Sequence, residues 1–177
     1  YRLIAMLEPY SEPEGEAMLS IEALDADASP AGAVEVILDA SGSMLGRIDG
    51  RRRIEVAHDA LKHLVTDVLP PGIPFAFRAF GLKEDACLNE LRLPLAPLDP
   101  AKAARSIGNV PAINLAKTAI AESLLSAAED LRDASEPRVI VLVTDGEETC
   151  DGDPAAAVEA LRASGLDIRV NIVGFAI

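Results

Sequence analysis

A chain of 177 residues, 50% of them hydrophobic, is long enough to bury the core of one α/β domain and short for two. Lys and Arg number 16 against 29 Asp and Glu, a net charge of −13, which disfavours nucleic acid and anionic membrane surfaces as partners and leaves a cation as the natural intermediary to an acidic one. Aromatics at 3% and the absence of Trp argue against base-stacking and sugar-stacking surfaces, and no apolar run approaches the roughly 20 residues that span a bilayer.

The chain begins at Tyr1 rather than Met and reads as a piece of a longer one, so the lack of a signal peptide says nothing of compartment. Residues 1–32 stand apart. The acidic, turn-prone "EPYSEPEGEA" is flanked by short apolar pieces around Leu3 to Leu7 and Met18 to Leu24. Two readings stay open there: a strand or hairpin on a sheet edge, or part of a neighbouring domain. Residues 33–177 form the main domain.

In "GAVEVILDASGSMLGR" a run of branched apolar residues, Val34, Val36, Ile37 and Leu38, reads as a strand and stops at Asp39, Ser41, Gly42 and Ser43. "RIDGRRR" follows and reads as a solvated turn, or as a partner-facing basic patch. Ile54, Ala57, Leu61, Leu64, Val65 and Val68 then fall at helical spacing up to Pro70-Pro71. His58 and His63 lie five apart on that helix, which is not the spacing of a two-His metal motif, and read as surface or flank residues. "PFAFRAFG" is the second strand, and "ELRLPLAPL" an edge strand because its prolines cannot donate to an interior ladder. "DPAKAARSIG" carries Asp99 as N-cap, Pro100 at the first helical position and Gly108 at the exit. A longer helix runs through "AIAESLLSAAEDLRDA". "RVIVLVTDG" is an uninterrupted apolar strand of the kind covered on both faces by helices, "DPAAAVEALRASG" repeats the Asp-Pro-Gly punctuation, and "DIRVNIVGF" closes with a strand. The alternation predicts an α/β fold: a Rossmann-like, doubly wound, mostly parallel central sheet with an antiparallel edge strand and helices on both faces.

Two strands end in acid-bearing loops, Asp39 in "LDASGSM" and Asp145 in "VTDGEET". Open parallel sheets bind ligands beyond their carboxyl ends, where successive crossovers diverge, so neighbouring strands would bring both loops to one crevice. The spacing Asp39-x-Ser41-x-Ser43 places a carboxylate and two hydroxyls on one turn, with Gly42 expected to permit the bend. Such oxygen donors suit a hard divalent ion, Mg²⁺ first, with Mn²⁺ and Ca²⁺ accepting similar ligands. Glu147 and Glu148 read as neighbours of this group or as solvated, and Asp151 and Asp153 as turn and cap residues. Cys87 ("EDACLNE") and Cys150 ("EETCDGD") lack any Cys-x-x-Cys spacing and sit in polar segments. They are two unrelated thiols or a single bridge, and a bridge implies an oxidising compartment.

These motifs resemble the von Willebrand factor type A domain, or integrin I domain, with its metal-ion-dependent adhesion site, across residues 33–177. "DASGS" stands at that family's Asp-x-Ser-x-Ser, and "TDGEET" at its Thr/Ser-Asp-Gly. "AKTAIAESLLSAAEDL" supplies Thr118 at the third element, with Ala116 and Ala119 where the family carries Gly and Pro. The resemblance implies that Asp39, Ser41, Ser43 and Thr118 supply side-chain oxygens to the ion, directly or through water, with Asp145 beside them. It further implies an open coordination place that accepts a carboxylate from a partner protein. Some bacterial members look like this chain in pairing a Cys after "GEET" with one after the second strand, which implies a Cys87–Cys150 bridge and a periplasmic or surface setting. The expected function is a noncatalytic, divalent-cation-dependent adhesion or assembly module. The alternatives are a metal-assisted hydrolase, for which the sequence has no Walker loop or Gly-x-Ser-x-Gly turn, and a structural domain whose metal site is degenerate at Thr118.

Overall fold

The computed structural model describes residues 32–175. The pieces around Leu3 to Leu7 and Met18 to Leu24, read as an edge strand, a hairpin or a neighbouring domain, lie outside the described residues.

Five strands form one sheet. They are β1 (Ala33–Asp39), β4 (Pro74–Phe80), β5 (Asn89–Pro97), β6 (Arg138–Thr144) and β7 (Ile168–Gly174), in the spatial order β5-β4-β1-β6-β7. β1 pairs in parallel with β4 and β6, and β6 with β7, whereas β5 runs antiparallel along one edge. The proline-bearing β5 is the edge strand its sequence predicted, and its register against β4 shifts at Phe75/Phe77 and Phe77/Arg78. Every residue of β1 is buried, because helices cover both faces of the central strands and alternation has no solvent face to serve.

One face packs Val34, Val36, Leu38, Phe75 and Phe77 against Ile54, Ala57 and Leu61 of α1 (Arg53–His63) and Ile107 of α2 (Pro100–Gly108). The other packs Ile37, Phe80, Ile140 and Leu142 against Leu124 of α3 (Ile120–Asp130) and Leu161 of α4 (Pro154–Ala163). Each such buried side chain is worth roughly 1.5–3 kcal/mol. α1 ends in a π-helical turn, Leu64–Val68, and the helix expected through "AIAESLLSAAEDLRDA" stops at Asp130, its tail turning back toward β6. The Asp99 side chain accepts from Lys102 N at 3.0 Å, and Asp153 Oδ1 from Ala155 N and Ala156 N at 2.9 and 3.0 Å. Each N-cap is worth about 1 kcal/mol.

Between Arg47 and Arg53 the expected solvated turn is a two-rung antiparallel hairpin, β2 (Arg47–Ile48) with β3 (Arg51–Arg52), carried by Asp49 and Gly50 at positive φ. Arg53 leaves the hairpin as the first residue of α1 and does not face solvent like its neighbours.

A buried charge sits in the apolar run of β1. Glu35 is fully enclosed, with Oε1 3.1 Å from Arg78 Nε and Oε2 without a partner among the described residues, while Arg78 also binds Asn89 and Asp130. Burial, seconded by the negative charge of Asp130, outweighs the guanidinium and pushes the Glu35 carboxyl up to about 8 from an ordinary 4.5. A carboxyl that holds its proton more tightly in the folded state stabilises the fold fully below the unfolded pKa and loses that contribution as pH rises through the folded value. Glu35→Gln removes the titration and keeps the shape. Urea unfolding at pH 5 and pH 8 is therefore expected to fall less steeply with pH in the variant, by up to about 1.4 kcal/mol per pH unit. Equal slopes in the two proteins would count against a buried titrating Glu35.

Candidate functional site

β1 and β6 are adjacent and parallel, and the helices that follow them, α1 and α4, pack on opposite faces of the sheet. The crossovers therefore diverge between these two strands, and the crevice opens beyond their carboxyl ends.

Asp39 closes β1. Its Oδ1 accepts from Ser41 N at 2.7 Å, a local side-chain turn, and its Oδ2 from Thr144 Oγ1 on the neighbouring strand at 2.6 Å. Backbone bonds from Ala40 N to Phe80 O and from Ile113 N to Ala40 O, each 2.9 Å, fix where the chain leaves the sheet. Ser41 Oγ lies 3.0 Å from Ser43 Oγ, and Ser43 Oγ donates to Asp145 Oδ1 at 2.6 Å. One relay of oxygens thus joins the loop after β1 to the loop after β6. Burial pushes the Asp39 carboxyl above its ordinary range; hydrogen bonds from Ser41 and Thr144 pull it back, and the charge of Asp145 adds to the rise.

Gly42 plays a different part from the bend expected of it. It opens a 3-10 turn, Gly42–Leu45, without positive φ, and a Cβ there would meet Leu115 N at 2.9 Å. The residue is small because the loop from 113 to 117 presses on it, and Gly42 N donates to Ala116 O at 3.3 Å.

That loop brings in Thr118, buried and two residues ahead of α3. Thr118 N donates to Thr149 Oγ1 at 2.8 Å and Thr149 N returns a bond to Thr118 O at 3.0 Å, which ties the loop to the segment after β6. A Cβ on Gly146 would stand 3.5 Å from Ser43 Oγ and 3.8 Å from Thr118 Oγ1, so this glycine faces the gap between the two hydroxyls. Ser41, Ser43, Leu115, Lys117, Thr118 and Thr149 border an open cleft of about 420 Å³.

The five oxygen-bearing residues comprise two carboxylates and three hydroxyls; Asp39, Ser41, Thr118 and Asp145 are buried and Ser43 is exposed at the mouth. Among the described residues no three His, Cys, Asp or Glu side chains are grouped to hold a metal; the donors here are hard oxygens, three of the five neutral hydroxyls. That set, with the gap faced by Gly146 and an exposed side, fits a small hard divalent cation.

One neighbour was not apparent in the sequence, and a second reads there only as near the site or solvated. Arg53 Nη1 donates to Asp145 Oδ2 at 2.7 Å, although "RIDGRRR" read as a solvated turn. Glu148, read as near the site or solvated, caps α3: its Oε2 accepts from Ala121 N and its Oε1 from Cys150 N, both at 2.8 Å. His58 is half-buried with Nε2 3.0 Å from Val110 O, while exposed His63 pairs with Asp67. The only sequence signal for Arg53 was its place at the start of the helical spacing that begins at Ile54.

Cys87 and Cys150 form a disulfide with Cα atoms 5.7 Å apart, joining the loop after β4 to that after β6. The first of these backs the Thr118 loop through the Glu84–Ala116 bridge, Asp85 N to Leu115 O at 3.1 Å and Lys117 Nζ to Asp85 Oδ1 at 3.1 Å. Among the described residues no helix is long and apolar enough to cross a membrane.

The sequence profile of the von Willebrand factor type A domain matches residues 34–176. The chain is 35% identical over 153 residues to the uncharacterized protein YwmD of Bacillus subtilis (strain 168), over 80% of this chain and 67% of that protein. It is 27% identical, with a TM-score of 0.66, to an aerotolerance-related membrane protein from Bacteroides fragilis NCTC 9343 solved with multiple mutations to serines, over 80% of this chain and 66% of that one. It shares its fold with proximal thread matrix protein 1 from the mussel byssus, solved with a zinc-occupied MIDAS motif, at a TM-score of 0.63 and 19% identity, over 81% of this chain and 38% of that one. The chain thus spans about two thirds of the first two proteins and well under half of the third.

Proposed function

The chain belongs to the von Willebrand factor type A domain family, and from that premise we propose that residues 33–177 act as a noncatalytic, divalent-cation-dependent protein-binding module serving adhesion or assembly. Asp39, Ser41, Ser43 and Thr118 would hold Mg²⁺, directly or through water, with Asp145 beside them. The observation that carries this reading is the oxygen relay Ser41–Ser43–Asp145, which unites two strand ends beside an open cleft lined by Ser41, Ser43 and Thr118. The zinc-occupied MIDAS motif of the mussel byssus protein supports it by analogy of fold.

When bound, the ion supplies a positive charge and a coordination place that a partner's carboxylate can take. The chain does the rest. Asp39 anchors the site from the buried end of β1, and the three hydroxyls add donors without adding charge, so positive potential persists at the mouth. A partner's acidic side chain then meets a surface that a net charge of −13 would otherwise make repulsive. The disulfide supports an extracytoplasmic setting, periplasmic or at the cell surface.

Calorimetric titration of chelator-stripped protein with Mg²⁺ and Mn²⁺ tests the metal. One saturable site per chain is expected, and a folded protein that takes up neither ion would overturn the proposal. A glutamate-bearing peptide array probed with and without chelator tests the partner: retention is expected only in the presence of the ion.

A further inference from the structure

Arg53 enters the site from an unexpected direction. It is the first residue of α1, and its backbone N donates to Gly46 O at 2.9 Å, which clamps the helix start to the turn bearing Ser41 and Ser43. Its side chain is only 29% exposed and ends on Asp145, whose side chain is wholly buried. The guanidinium packs against Gly46, where a Cβ would stand in ordinary contact, 3.5 Å, with its carbon and Nη1. Among the described residues the Nε is buried without a partner, so packing and one charged contact, rather than a fan of hydrogen bonds, aim the group. Both oxygens of Asp145 are therefore engaged by the protein, Oδ1 by the Ser43 hydroxyl and Oδ2 by the guanidinium.

We propose that Arg53 is a positioning residue that keeps Asp145 out of direct contact with the bound cation and cancels its charge, so that the cation retains the attraction it needs for a partner's carboxylate. The inference rests on the metal reading above. A free Asp145 would be a second anionic ligand for the cation, displacing a water and binding it more tightly. The same neutralisation would weaken its hold on an outside acid. Arg53 thus trades affinity for the ion against affinity for the partner, and it does so with a fixed cation that is always charged.

The test uses the whole chain and two variants, Arg53→Gln and Arg53→Lys. Arg53→Gln is expected to raise Mg²⁺ and Mn²⁺ affinity about 10-fold by calorimetry, to lower the water-proton relaxation enhancement of bound Mn²⁺ as Asp145 displaces a water, and to weaken acetate's displacement of Mn²⁺-bound water about 10-fold. Arg53→Lys keeps the positive charge and is expected to stay near the wild type. A merely structural arginine would not produce opposite movements, since loosening the site lowers both affinities. Wild-type metal binding with Arg53→Gln of equal or lower affinity overturns the role assigned to Arg53 and leaves the metal reading standing. No uptake by any of the three folded proteins overturns the metal reading, and this inference with it.

Discussion

Replacing Asp39 with Asn is expected to lower Mg²⁺ affinity by at least about 100-fold while leaving the fold in place. Asp145 is neutralised by Arg53, and the other donors are hydroxyls, so Asp39 carries most of the anionic charge that a cation would meet. The substitution is shape-conserving. One amide oxygen can still accept from Ser41 N, and the Thr144 hydroxyl can turn to accept from the new NH₂ instead of donating. Burial that now strains the charged form would be relieved, so the stability of the ion-free protein is expected to hold or rise slightly. Calorimetry and thermal melting with and without Mg²⁺ check both halves. Wild-type affinity in the Asn variant would remove Asp39 from the site.

The second large effect is expected at the disulfide. Cys87 and Cys150 are 63 residues apart, and closing a loop of that length restricts the unfolded chain by about 4 kcal/mol on the chain-entropy account. The double variant Cys87→Ser, Cys150→Ser should therefore lose about 3–4 kcal/mol in urea unfolding and melt roughly 10 °C lower. The consequence reaches the cleft. The loop after β4 backs Leu115 and Ala116, and the segment after β6 pins Thr118 through Thr149, so the bridge ties two supports of one hydroxyl together. Mg²⁺ affinity is expected to fall about 10-fold in the reduced or serine form. A loss under 1 kcal/mol with unchanged ion binding would make the bridge incidental to both.

Much of the architecture was legible because its causes are local. Asp99 and Asp153 each stand before Pro at the first turn of a helix and accept from backbone N–H groups three or fewer residues on, interactions that need no distant partner. β6 reads as a strand buried on both faces because it has no polar alternation to offer solvent, and β5 reads as an edge because its prolines forbid an interior place. The acids at the ends of β1 and β6 were visible for the same reason, each closing an apolar run.

The residues whose parts the sequence leaves unspecified or misreads have remote partners. Arg53 sits among arginines whose composition says solvent, and only an aspartate 92 positions away gives it a buried end. Glu148 is one acid in an acidic loop until the N-terminus of α3, 27 residues back, presents its free N–H to it. Gly42 is small for the sake of Leu115, a chain segment it does not adjoin, and Glu35 lies in an apolar strand where only Arg78, 43 residues on, gives it a counter-charge.

The sequence by itself determined the alternation of strands and helices, the edge strand, the capped helices and the acid-hydroxyl turns at two strand ends, since each depends on side-chain periodicity and backbone preference over a few residues. The tertiary structure alone decided that β1 and β6 lie side by side, so that Ser43 reaches Asp145 across 102 residues of chain, and that Arg53 turns inward to neutralise the second acid. Hydrogen bonds and ion pairs of this kind act only over a few ångströms, and which residues come within that range depends on how the sheet is ordered rather than on any local run of residues.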